Sequence, residues 1–128
     1  MVKILLLETD HLLAKNLRQF LKNSGYEVDW QVDPQAAIES ADTVPPDAIV
    51  LDLMLAQHSG IEFLYEFRSY PEWQNLPVII FSNISAEEVS GCLEAFEQLN
   101  VSAYHYKLTT SLAKLADSVD RSLQSAIV

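Results

Sequence analysis

Four residues far apart in the chain, Glu8, Asp52, Ser82 and Lys107, each stand at the end of a short run that reads as a β-strand. The sharpest case is AIVLDLMLAQHSG (48–60), where four apolar residues run straight into Asp52, an anion placed where burial is costly. Two carboxylates side by side repel each other, so Glu8 and Asp52 call for a cation between them. All-oxygen ligation favours Mg²⁺, a hard ion that keeps several waters. Lys107 adds a second positive charge, and Ser82 adds a hydroxyl that can donate to an anionic oxygen. These are the parts for phosphoryl transfer onto a carboxylate, a reaction that depends on positioning and on positive charge around the transferred oxygens. Asp52 is the expected nucleophile; Ser82, Lys107 and Mg²⁺ are expected to hold the phosphoryl group.

The elements that must bring these residues together are legible from periodicity. KILLL (3–7), AIVL (48–51) and PVIIF (77–81) lack alternation, as expected of strands covered on both faces. YEVDWQV (26–32) alternates and SAYHYK (102–107) mixes polar with aromatic residues, so both read as edge strands. Helical spacing predicts a first helix from about Asp10 to Asn23, closed by Gly25, and a second opened by Asp33-Pro34 and reaching about Ala41. A third is opened by Ser59 and ended by Pro71. The S-x-x-E spacing of Ser85 and Glu88 predicts a fourth, continued by Val89, Leu93 and Phe96, with Cys92 a small core residue on it. Leu112, Leu115, Val119 and Leu123 mark the last.

Alternating strands and helices imply a doubly wound parallel sheet with right-handed crossovers and helices on both faces. With the apolar strands inside, the order is 2-1-3-4-5, a flavodoxin-like three-layer sandwich over residues 1–128 as one domain. Ligands in such sheets bind at the carboxyl ends of the strands, where the four residues above are expected to converge.

Eighteen acidic against eight basic residues give a net charge of −10, which repels phosphate backbones and argues against nucleic acid as a direct partner. The longest apolar run is too short to span a bilayer and no signal peptide is evident, so the expected location is cytoplasmic, without membrane contact. A single cysteine excludes an intramolecular disulfide.

KILLLETD, PDAIVLDLMLAQHSGIEFL, LPVIIFSN and AYHYK, taken in this order and at these intervals, resemble the receiver domain of two-component response regulators over essentially the whole chain. The resemblance implies that Asp52 is the phosphoacceptor for a histidine kinase or phosphotransfer protein, and that the Met54 main-chain carbonyl joins Glu8 and Asp52 in holding Mg²⁺. It implies that Ser82 and Tyr104 switch together, remodelling the face of the last two helices and the strand between them for a downstream protein partner; it leaves room for a homodimer. The family ties dephosphorylation rate to the residues two beyond the aspartate and two beyond the hydroxyl, here Met54 and Ile84, which cannot hydrogen-bond an attacking water, so the resemblance implies at most self-phosphorylation from a phosphodonor and slow self-dephosphorylation.

The chain departs from the family pattern in several places. Thr9 replaces the second of two adjacent acids, so Mg²⁺ binding is expected to be weak, and Asp10 is better placed to cap a helix than to replace it. Leu108 stands where a cis proline is usual, which puts the approach of Lys107 in question. Ala56 replaces a common proline, and Asn83 is expected to narrow access to the phosphoryl group. The alternative reading is therefore a phosphorylation-independent pseudo-receiver acting as an interaction module. A flavin-phosphate binder would want a Ser/Thr/Gly-rich first turn, whereas ETDHL is acidic, and an aspartate-based phosphatase would want an acid at Met54. His11, His58 and His105 read as ordinary exposed residues, and Trp73 as a loop residue folded onto the surface.

Overall fold

The computed structural model describes residues 1–55 and 58–127. Five parallel strands form one sheet: β1 (Lys3–Leu7), β2 (Glu27–Gln31), β3 (Ala48–Leu51), β4 (Val78–Ser82) and β5 (Ala103–Tyr106). Their order is β2-β1-β3-β4-β5, the doubly wound arrangement expected. A separate two-residue antiparallel ladder joins Met54–Leu55 to His58–Ser59 just beyond β3. Among the described residues five α-helices join them: α1 (His11–Asn23), α2 (Pro34–Thr43), α3 (Gly60–Arg68), α4 (Leu93–Gln98) and α5 (Leu112–Ile127).

Two apolar layers explain why the inner strands show no alternation. Leu5, Leu7, Ile49, Leu51 and Ile80 pack against Ala37, Ile38, Phe63, Leu64 and Phe67 on one face. Ile4, Leu6, Val50, Ile79 and Phe81 pack against Ala14, Leu17, Leu21, Leu115 and Val119 on the other. Successive residues of each inner strand thus point into opposite cores, and all must be apolar. Full burial of each such side chain contributes about 1.5–3 kcal/mol, which fixes the register and with it the position of whatever follows each strand.

The helix ends follow local chemistry. Asp10 caps α1 by accepting from the Leu13 amide at 3.1 Å, Asp33 caps α2 through the Ala36 amide at 3.0 Å, and Ser59 caps α3 through the Ile61 amide at 3.1 Å. Gly25, at φ +94°, lets the chain leave α1 through a conformation other residues avoid.

Four expectations are corrected. The reciprocal Ser85–Glu88 bonds form, but they close a turn; a 3₁₀ segment follows at Ser90–Cys92 and α4 starts only at Leu93. Gly91, among the weakest helix formers, sits where the longer helix would have had to pass. Cys92 is accordingly half-buried on that 3₁₀ turn. Trp73 does not lie on the surface: it is 2% exposed, in a 3₁₀ turn at Pro71–Trp73, stacked on Phe67 with ring centroids 4.6 Å apart. His105 is half-buried and hydrogen-bonded to Ser118 at 2.7 Å; His11 is exposed, as expected, but rests edge-on against Trp30.

One buried cation has no carboxylate within ion-pair distance among the described residues. Arg68, at the end of α3, donates to the carbonyls of Leu99 (2.8 Å), Trp73 (2.5 Å) and Asn100 (3.1 Å). It ties α3 to the turn leaving α4, where Asn100 adopts φ 56°. Burial lowers its pKa.

Candidate functional site

Register places the carboxylates. Leu7 pairs with Leu51 across β1 and β3, so Glu8 and Asp52, each the next residue, leave the sheet side by side. Their amides continue the ladder by one rung: Glu8 N–H donates to Gln31 O at 3.2 Å and Asp52 N–H to Leu7 O at 3.1 Å. On the other side Ser82 pairs with Tyr106, so Lys107 begins where β4 ends.

Lys107 spans the gap. Its Nζ lies 2.7 Å from Glu8 Oε1 and 2.8 Å from Asp52 Oδ2, and the side chains of all three are at most 9% exposed. The ammonium also sits 5.8 Å from the centroid of the Phe81 ring. The remaining carboxylate oxygens are held by main chain: Asp10 N–H donates to Glu8 Oε2 at 3.1 Å, and Met54 N–H to Asp52 Oδ1 at 3.0 Å. Every carboxylate oxygen of the pair therefore has a donor.

Burial raises the pKa of Glu8, a trend that the charge of Asp52 reinforces and that Lys107 and the Asp10 amide only partly oppose. Burial alone would lower that of Lys107, but its hydrogen bonds to Asp52 and Glu8 and their charges outweigh it, and the net shift is upward. Lysine remains the cation and Glu8 is the carboxyl that ionises at a cost.

Leu108, 77% exposed, follows the lysine in a 3₁₀ turn over Lys107–Thr109, and among the described residues no peptide bond is cis. The lysine reaches both carboxylates without the proline. Ala56 lies outside the described residues, and Asn83 is exposed.

Ser82 is fully buried and its Oγ accepts from the Ile84 amide at 3.2 Å. The Tyr104 hydroxyl donates to the carbonyl of the same Ile84, and its ring packs against Phe96 of α4 with centroids 5.7 Å apart. One residue thus links the hydroxyl at the end of β4 to the aromatic of β5. Burial raises the pKa of Tyr104, helped by the charges of Glu88 and Asp52 and opposed by the Ser82 hydroxyl. The Met54 side chain is 56% exposed.

Two carboxylates facing each other suit a hard divalent ion chemically. Lys107 already engages one oxygen of each, however, Thr9 offers no third carboxylate, and Asp10 is committed to capping α1. Among the described residues no group of three or more His, Cys, Asp or Glu converges. The donor set fits such an ion as a guest that must share or displace the ammonium.

Two contributors escape sequence reasoning. A Cβ on Gly60 would lie 2.4 Å from the main-chain oxygen of Asp52 and 2.7 Å from Leu53 Cα, so only glycine lets α3 start against the Asp52 peptide. The glycine of HSGIEF could have been read as a close approach. Trp30 Nε1 donates to the main-chain oxygen of Glu8 at 2.9 Å, and nothing in the alternation of its strand announces it.

Comparison with known proteins bears on what this arrangement is. The family model described as response regulator receiver domain matches residues 4–109. The chain is similar to the transcriptional regulatory protein QseB of Haemophilus influenzae, 37% identical over 81 residues, covering 63% of this chain and 36% of that protein. It is also similar to the KDP operon transcriptional regulatory protein KdpE of Escherichia coli, 34% identical over 87 residues, covering 68% of this chain and 37% of that protein. The chain thus spans little more than a third of these relatives. Among solved structures, a sensor protein from Polaromonas superposes with a TM-score of 0.86 at 25% identity, covering 98% of both chains. A CheY-like receiver domain protein from Methanospirillum hungatei gives 0.83 at 18% identity, covering 98% of this chain and 96% of that one, a likeness of fold.

Proposed function

The chain belongs to the response regulator receiver domain family of two-component systems, and on that premise we propose that Asp52 is a phosphoacceptor. A carboxylate oxygen of Asp52 attacks the phosphorus of a phosphohistidine on a histidine kinase or phosphotransfer protein. The new P–O bond forms as the P–N bond breaks, and the imidazole leaves and takes up a proton. Asp52 Oδ2 must first let go of Lys107, whose ammonium then moves onto a phosphoryl oxygen while Glu8 keeps it over the site. Ser82 turns its hydroxyl from the Ile84 amide to a second phosphoryl oxygen.

The observation that carries this reading is the buried lysine bridging two carboxylates at the carboxyl ends of adjacent strands. Glu8, Asp52 and the Met54 carbonyl would hold Mg²⁺, weakly, because the ion competes with Lys107 and lacks a carboxylate from Thr9. When bound, such an ion supplies positive charge to the transferred oxygens. Release of the Ile84 amide by Ser82 reaches Tyr104 through the Ile84 carbonyl. That coupling presents a changed face of α4, β5 and α5 to a downstream protein or to a second copy of the chain. Phosphorylation drives it only through different contacts in the two states.

The test is intact mass after exposure to a small acyl-phosphate donor with Mg²⁺. The chain gains one phosphoryl group and the Asp52→Asn variant gains none. The second reading, a pseudo-receiver, is favoured by the complete set of donors on both carboxylates; it predicts no gain in either protein and a downstream partner that binds both equally.

A further inference from the structure

We propose that Trp30 is a positioning residue for Glu8, aiming its carboxylate at Lys107; its bearing on phosphoryl transfer rests on the proposed function above. The main-chain ladder between β1 and β2 ends with Glu8 N–H donating to Gln31 O. There the chain turns towards α1, and the Glu8 carbonyl has passed the last rung that β2 offers. Trp30 pairs with Leu6 in the register, one rung short of that end, and its indole N–H reaches forward to take the Glu8 carbonyl at 2.9 Å. A side chain thus lengthens the ladder by one bond at the place where the backbone departs.

The same indole holds the far end of the turn. The His11 ring meets Trp30 edge-on, with centroids 5.1 Å apart and planes at 83°. Residues 8 and 11 therefore both rest on one rigid ring, and the two residues between them, Thr9 and Asp10, are bracketed. Inside the bracket the Asp10 amide donates to Glu8 Oε2 at 3.1 Å, which fixes the carboxylate on its own turn and leaves Oε1 for Lys107 at 2.7 Å. The line of contact runs from the indole N–H to the Glu8 carbonyl, through the turn to the Asp10 amide and the carboxylate, and on to Lys107 and Asp52. A donor this rigid pre-sets a geometry that a flexible side chain would have to find on each occasion.

The experiment compares the full chain with Trp30→Phe, which keeps an aromatic ring and loses the donor, and His11→Ala, which removes the edge contact at an exposed position and keeps the donor. The primary readout is amide hydrogen exchange in the unphosphorylated protein, which needs no activity. In Trp30→Phe the Asp10 amide exchanges about fivefold faster, the factor for loss of one neutral hydrogen bond. The Met54 amide, which reports on Asp52, stays close to wild type, the urea midpoint falls by no more than about 0.5 M, the share of one hydrogen bond, and His11→Ala, which loses only the edge contact, speeds the Asp10 amide less than Trp30→Phe does. An unchanged Asp10 amide in Trp30→Phe overturns the proposal. So does a uniform acceleration of all protected amides in step with a lower urea midpoint, the signature of packing alone. Mass gain from the small phosphodonor is read in parallel, with about a fivefold slower gain expected in Trp30→Phe at an unchanged end point. Absence of any gain in wild type refutes the proposed function, while the exchange pattern still decides the role of Trp30.

Discussion

Replacing Lys107 with methionine keeps most of the aliphatic stem and deletes the ammonium that Glu8 and Asp52 share. The two carboxylates are 1% and 4% exposed as residues, so neither can recover its lost partner from bulk water. Removing one member of a buried, hydrogen-bonded ion cluster costs about 3–5 kcal/mol. With a urea dependence near 2 kcal/mol/M for a small domain, the midpoint falls by about 2 M at pH 7.5. The loss is itself pH-dependent. Burial has already pushed the Glu8 carboxyl upward, and in the variant nothing cationic opposes that shift, so mild acid protonates Glu8 and removes one of the two facing charges. At pH 5 the gap between variant and wild type therefore narrows by half or more. At the alkaline end the sign runs the other way. The folded-state pKa of Lys107 is raised, so its contribution is complete below the ordinary lysine value of 10.5 and is lost as pH climbs through the higher folded value. Wild type loses stability there and Lys107→Met lacks that component. Urea titrations at three pH values make the measurement. A loss below about 1 kcal/mol at pH 7.5, or an equal loss at pH 5, would show that the bridge does not hold the pair and would refute the reasoning.

Arg68→Met leaves three main-chain carbonyls without their donor and is expected to cost about 2–4 kcal/mol by chemical denaturation; Arg68→Lys, with one compact head for three acceptors, recovers less than half. Gly60→Ala forces a methyl group into the Asp52 peptide, lowers stability by about 1–3 kcal/mol and displaces Asp52, the proposed phosphoacceptor, read as a lower melting temperature together with slower phosphorylation. Once formed, the acyl phosphate persists for minutes or longer, because Met54 and Ile84 cannot orient water; loss of the added mass within seconds contradicts this.

What could be read from the sequence tracks how strongly burial constrains residue type. Ile49, Val50 and Leu51 each face one of two cores, and only an unbroken apolar run satisfies both, so the inner strands and their order were visible. The meeting of Glu8, Asp52 and Lys107 followed from register, since each comes directly after a paired strand residue. Trp73 was misjudged because its neighbours Glu72 and Gln74 are polar, and its partner Phe67 is declared only by the path of the chain after α3. Arg68 escaped because an arginine at the end of a helix looks like a surface charge, and carbonyl acceptors leave no mark on a sequence. The fourth helix was placed too early because a capping box states what its own four residues do and nothing about the glycine that follows.

The interior ions have a consequence for the outside of the molecule. Arg68 and Lys107 are the cations taken inside, and Glu8 and Asp52 are the matching anions. Their charges cancel, so the entire surplus of ten negative charges is carried by the surface. Two copies approaching each other face a long-range barrier, which dissolved salt thins over about 10 Å at 0.1 M. A basic visitor is drawn in across the same distance. Encounter rate thus depends on the ionic medium, while the sheltered bridge beneath the surface scarcely registers it.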